Sequence, residues 1–80
     1  MEWKAPEQII YKTQTKASDM FTFGCILYFC ITRGHHPFGD TPGERIQNII
    51  ANKMNISHVE DIADAYHLIS RLLSPEPEVR

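Results

Sequence analysis

The stretch Ser18-Asp19-Met20-Phe21-Thr22-Phe23-Gly24-Cys25-Ile26-Leu27-Tyr28-Phe29-Cys30-Ile31 decides the fold. Wound at helical pitch, its apolar residues fall on every face. A helix with one wet side pairs an apolar stripe with a polar one, so apolarity all round marks an element covered from several sides. A buried strand competes, because Phe, Ile, Tyr and Cys are at home in sheets. Length, the Asp19 start and the Gly34 stop favour the helix, with Thr15 as its N-cap. Cys25 and Cys30 lie on different faces of it, too far apart to bridge, and are read as free thiols packed in a core.

Outward from this helix the signals are local and consistent. On its N-terminal side, Ala5-Pro6-Glu7 sets Pro at a first helical position followed by an acid, predicting a short helix, with Lys12 to Lys16 as a polar loop. On the other side, His35 to Asp40 reads as a loop. Thr41-Pro42-Gly43-Glu44 then forms a capping box, opening a helix that carries Ile46, Ile49 and Ile50 on one face and ends near Lys53. Ser57-His58-Val59-Glu60 reads as a second capping box. It precedes an amphipathic stripe of Ile62, Ala65, Tyr66, Ile69, Leu72 and Leu73 that stops before Ser74-Pro75. The expected fold class is all-α, four helices joined by short loops.

Eighty residues with 42% hydrophobic composition amount to one small domain at most, and such a chain should fold if its apolar surface can be covered. The basic residues are scattered singly and the net charge is -2, which argues against nucleic acid or a polybasic membrane patch as a partner. The longest apolar run, Phe23 to Ile31, is far short of the roughly 18 residues that span a bilayer, and no signal peptide opens the chain. A cytoplasmic segment without membrane contact is the expectation.

Catalytic chemistry needs convergent titratable groups or a cofactor cradle. The region from Gly34 to Gly43 has neither the dinucleotide fingerprint nor a phosphate-binding loop. Adjacent His35 and His36 lack a second ligand pair, so His35 is read as facing solvent and His36 as packed in a turn. Glu60, Asp61 and Asp64 suit a helix start, where negative charge is favoured. Asp19, in the first turn of the buried helix, is costly to desolvate unless it caps that helix or meets a cation. Glu7 and Arg80 form a second pair to follow, both at chain edges in proline-held segments. No residue is assigned as catalytic, cofactor-binding or metal-binding.

Ala5-Pro6-Glu7, then Ser18 to Tyr28, then Gly34-His35-His36-Pro37-Phe38, then Leu72-Leu73-Ser74-Pro75-Glu76-Pro77-Glu78-Val79-Arg80, stand in an order and spacing that resembles the carboxy-terminal lobe of a eukaryotic protein kinase. The likeness covers residues 1–80, from the end of the activation segment to the loop before the last helix. It implies an ion pair between Glu7 and Arg80, Asp19 as the anchor of the catalytic-loop backbone, and Ile26 and Cys30 as anchors of the stacked apolar spines. It implies that Trp3 helps shape the pocket for the residue after the phosphoacceptor and that the helix from Pro42 to Lys53 is a docking surface. The parent would be an ATP- and Mg-dependent serine/threonine kinase acting on protein substrates, with the remainder of the kinase domain as this segment's partner.

Within kinases, Thr32 to Gly39 and Arg45 to Ile50 are most similar to the unfolded-protein-response sensor kinase/endoribonucleases, the inositol-requiring family. That likeness implies a parent anchored in the endoplasmic reticulum membrane with this segment on the cytosolic side. Phe21 stands where the family usually has Trp, and Ser74 where it often has Asp. The sequence contains no Gly-rich loop, no ATP-binding Lys on a strand, no His-Arg-Asp and no Asp-Phe-Gly, the parts that hold nucleotide, metal and attacking hydroxyl. The isolated chain is therefore expected to be inactive, with exposed apolar surface where Asp19, Ile26 and Cys30 would meet the catalytic half. The alternatives are a stand-alone helical interaction module derived from such a lobe and an unrelated helical bundle.

Overall fold

The computed structural model describes residues 3–80, and among them it contains four α-helices, two 3-10 turns and no strand. Helix α1 (Pro6–Tyr11) starts on Pro6, and the N–H of its N-cap residue Ala5 donates to Gln8 Oε1 at 2.9 Å. Helix α2 (Lys16–Ile31) begins at Thr15, whose Oγ1 accepts from Ser18 N–H at 3.1 Å while Ser18 Oγ accepts from Thr15 N–H at 2.8 Å. This reciprocal cap leaves Asp19 no capping to do. Beyond α2 the chain turns out through Arg33 and Gly34, both at positive φ, and Gly34 N–H donates to Phe29 O at 2.9 Å.

Helix α3 (Pro42–Ala51) opens on Thr41, whose Oγ1 accepts from Glu44 N–H at 3.3 Å. It closes on Asn52 in the left-handed region, so Lys53 lies beyond the helix, its N–H bonded to Asn48 O at 2.8 Å. The expected capping box at Ser57 corresponds instead to a separate 3-10 turn, Ser57–Val59, and α4 (Ala63–Leu72) starts later with no side-chain cap. Burial explains the difference. Ile56 and Val59 are pinned in the core, which holds this turn beneath the helices, while Ile62 is 51% exposed and stands outside the expected stripe.

The core gathers Phe21, Cys25 and Tyr28 from α2, Ile49 from α3, Ile69 and Leu73 at α4, and Phe38, Ile56 and Val59 from the connections. Helix α4 packs on α2, and α1 on α3. The α2–α4 crossing runs through Gly24, where a Cβ would sit 2.8 Å from Leu72 Cβ and 3.0 Å from Leu73 Cδ2. Only one side of α2 is covered among the described residues. Ser18, Phe21, Gly24, Cys25 and Tyr28 are buried, whereas Met20, Phe23, Ile26, Cys30 and Ile31 are exposed. The exposed side is the one expected, carrying Asp19, Ile26 and Cys30, whereas the reading of both cysteines as packed in the core is corrected at Cys30. Helix α4 and the 3-10 turn Pro77–Val79 pack on α2, and Cys25 is buried while Cys30 is not.

Candidate functional site

Arg80 joins four parts of the chain. Its Nη1 donates to Glu7 Oε2 at 2.7 Å and Nη2 to Glu7 Oε1 at 2.9 Å, a bidentate pair across almost the whole sequence. Nη1 also reaches Ala17 O at 3.1 Å, Nε reaches Ser74 O at 2.7 Å, and Nη2 reaches Pro75 O at 3.4 Å. The guanidinium carbon lies 5.0 Å from the centre of the Phe21 ring, a cation–π contact that orients the fork. The Arg80 side chain is fully buried and that of Glu7 is 14% exposed. Burial acts to raise the Glu7 carboxyl pKa, but the Arg80 hydrogen bonds, a backbone hydrogen bond and the Arg80 charge outweigh it and hold it below its ordinary value.

Asp19 is exposed, and its Oδ1 accepts a long 3.4 Å hydrogen bond from the Gln14 amide. No desolvation has to be offset there, because its side of α2 faces outward. Ile26, 41% exposed, and Cys30 share that side with it. The Trp3 ring stacks on His36 at 5.0 Å between centres and 23° between planes. It meets Phe29 edge-on at 5.6 Å, and the Thr22 hydroxyl donates to Trp3 O at 2.7 Å. The structure thus brings Glu7 to Arg80 and sets Asp19, Ile26 and Cys30 on one exposed face. Trp3 is seated on Thr22, Phe29 and His36.

Sequence reasoning missed the partners of Trp3. His36 is buried and His35 exposed, as the turn reading expected. The Trp3–His36 stack, however, joins two irregular segments that no periodicity relates. Phe29 carried a signal, lying within an all-apolar helix, but nothing to say which ring it would meet.

Two concavities were tested against nucleotide and magnesium. One, of about 500 Å³, is lined by Lys4, Gln8, Ile9, Lys12, Thr13, Gln14 and Ile46, without a carboxylate. The other, of about 270 Å³, is lined by Tyr28, His35, His36, Gly39, Asp40, Asn55 and His58, with one carboxylate. Magnesium in phosphoryl transfer is held by acidic and amide oxygens. Among the described residues no three His, Cys, Asp or Glu side chains converge to hold a metal. Among the same residues no helix is long and apolar enough to cross a membrane.

Comparison with known proteins gives this geometry its context. The chain is 49% identical over 78 residues to the serine/threonine-protein kinase/endoribonuclease IRE1 of Oryza sativa subsp. japonica, covering 98% of this chain and 9% of that protein. The figures are the same for IRE1a of Arabidopsis thaliana. A protein of Arabidopsis thaliana named inactive serine/threonine-protein kinase/endoribonuclease IRE1-like is 43% identical over 82 residues, covering 98% of this chain and 14% of that protein. The chain therefore spans about a tenth of the length of the first two of these relatives. Residues 1–80 match the family described as protein tyrosine and serine/threonine kinase, an all-helical segment of which these residues form, and the chain belongs to that family.

Proposed function

We propose that residues 1–80 are the helical part of the carboxy-terminal lobe of an ATP-dependent serine/threonine kinase, from the end of the activation segment to the loop before the last helix. The segment transfers no phosphate by itself, and its parent is a sensor kinase/endoribonuclease of the unfolded-protein response. The observation that carries the reading is the exposed side of α2, where Phe23 is 52% exposed, Met20 45% and Ile26 41%. Apolar surface gathered on one helix face marks an interaction site, and the relatives' names supply the partner, the rest of a kinase domain.

In this reading Glu7 and Arg80 clasp the substrate-binding segment to the lobe. Asp19 holds the catalytic-loop backbone, Ile26 and Cys30 carry the apolar spines, and Trp3 shapes the pocket for the residue after the phosphoacceptor. ATP and Mg, bound by the rest of the domain, supply the phosphoryl group and the charge neutralisation for its transfer to a protein hydroxyl. The parent lies in the endoplasmic reticulum membrane with this segment on the cytosolic side, and neither nucleic acid nor lipid contacts the segment.

The test is phosphotransfer from labelled ATP with Mg by the pure 80-residue chain, together with thermal melting with and without nucleotide. No incorporation and no nucleotide-dependent shift are expected, and robust incorporation overturns the reading. A second reading, a stand-alone interaction module derived from such a lobe, is favoured by the similarity to a relative named inactive. It requires that the complete protein carrying this segment also lack phosphotransfer, whereas the first reading requires that it be active.

A further inference from the structure

We infer that His36 is a positioning residue for Trp3, and through it a determinant of substrate selectivity. Trp3 is only partly buried, so part of the residue remains open to a ligand, and its seat fixes where that part points. The seat has three parts. Phe29 on α2 meets the indole edge-on at 5.6 Å, the Thr22 hydroxyl fixes the Trp3 carbonyl at 2.7 Å, and His36 stacks against the indole face at 5.0 Å. Phe29 and Thr22 ride on α2, whereas His36 comes from the loop between α2 and α3 and is the only part of the seat outside that helix. Its orientation is locked in turn, because Nδ1 accepts from Phe38 N–H at 3.1 Å and the ring is buried. The indole face thus follows from the ring at position 36 and that ring from the turn beneath it.

A ring and an acceptor are separable requirements. Phe at position 36 keeps the stack and loses the acceptor for Phe38 N–H; Asn keeps an acceptor and loses the stack. The selectivity step rests on the function proposed above, and the placement step does not.

Trp3 is the only tryptophan of the chain, so its emission reads its surroundings directly. In the 80-residue chain, H36N should move Trp3 emission to longer wavelength and make it more open to acrylamide, while H36F leaves both near wild type although the turn is weakened. Equal effects of the two variants, or no effect of H36N, overturn the placement step. Nuclear Overhauser contacts between indole and imidazole protons in the wild-type chain decide it independently should a variant not fold, and their absence overturns it. In the complete kinase, the ratio of kcat/KM for two peptides differing only in the residue after the phosphoacceptor should change roughly two- to tenfold with H36N, the worth of one aromatic stack. H36F should restore it. A moved indole with an unchanged ratio overturns the selectivity step. Absent phosphotransfer by the complete kinase refutes the proposed function and with it that step, leaving placement to the emission result.

Discussion

Replacing Glu7 by alanine leaves the buried Arg80 guanidinium with three backbone carbonyls and no counter-charge. Breaking a buried pair from one side costs about 3–5 kcal/mol, and the slight exposure of Glu7 places E7A at the lower end, about 3 kcal/mol by urea denaturation. The Glu7 pKa is depressed in the folded chain, so its contribution is complete above the ordinary 4.5 and is lost as pH falls through the lower folded value. The stability gap between wild type and E7Q should therefore narrow below about pH 4.5 and stay constant above it; a gap indifferent to acid would refute the pairing. Tyr28 behaves in the opposite manner. Burial pushes its phenol pKa up, although the nearby backbone N–H of His58 acts to lower it. Among the described residues the buried hydroxyl makes no hydrogen bond of ordinary geometry, with that N–H or with any other group. Y28F should therefore be neutral to within about 1 kcal/mol or stabilising, whereas Y28A, which empties part of the core, costs about 3–5 kcal/mol. A loss of several kcal/mol in Y28F would show that the hydroxyl is satisfied.

Gly24 tests how α2 and α4 meet. Alanine is favoured over glycine in a helix by about 1 kcal/mol, but a Cβ at this position would press on Leu72 Cβ, which is fixed to its backbone and cannot swing away. Overpacking of this kind costs about 1–3 kcal/mol, so G24A should be destabilising in urea despite its better propensity, and a stabilised variant would mean that the helices cross elsewhere. The elements whose limits were legible in sequence are those whose ends are written in local chemistry. Pro6 starts α1, Thr15 and Ser18 cap α2, and Thr41-Pro42 opens α3. Helix α4 was misjudged at its start because Ser57 to Glu60 carries the capping pattern while the burial of Ile56 and Val59 fixes a turn there. The Glu7–Arg80 contact was named only through the family resemblance, since composition could say no more than that both residues lie at chain edges. All-round apolarity indicates that a helix needs cover without saying which residues supply it, so the sequence left Asp19 between capping its own helix and meeting a cation.

At the scale of the whole molecule, α2 displays Met20, Phe23, Ile26, Cys30 and Ile31 on the side away from the core, and under the proposed function this side receives the catalytic half of the kinase. The two cysteines report on it from opposite positions. Cys25 is fully buried and should react with a thiol reagent only when the chain unfolds, whereas exposed Cys30 should react at once and become protected when the rest of the domain associates. F23D replaces a side chain that is 52% exposed and outside the core cluster, so it should change the stability of the chain by no more than about 0.5 kcal/mol while lowering its binding of hydrophobic dye. Burying a phenylalanine side chain contributes about 1.5–3 kcal/mol, so the same substitution should weaken association with the rest of the domain by roughly 10- to 100-fold. Equal labelling rates for the two cysteines in the folded chain, or a cooperative monomer that binds no dye, would mean that this side of α2 is closed in solution, and the fragment reading would fail with it.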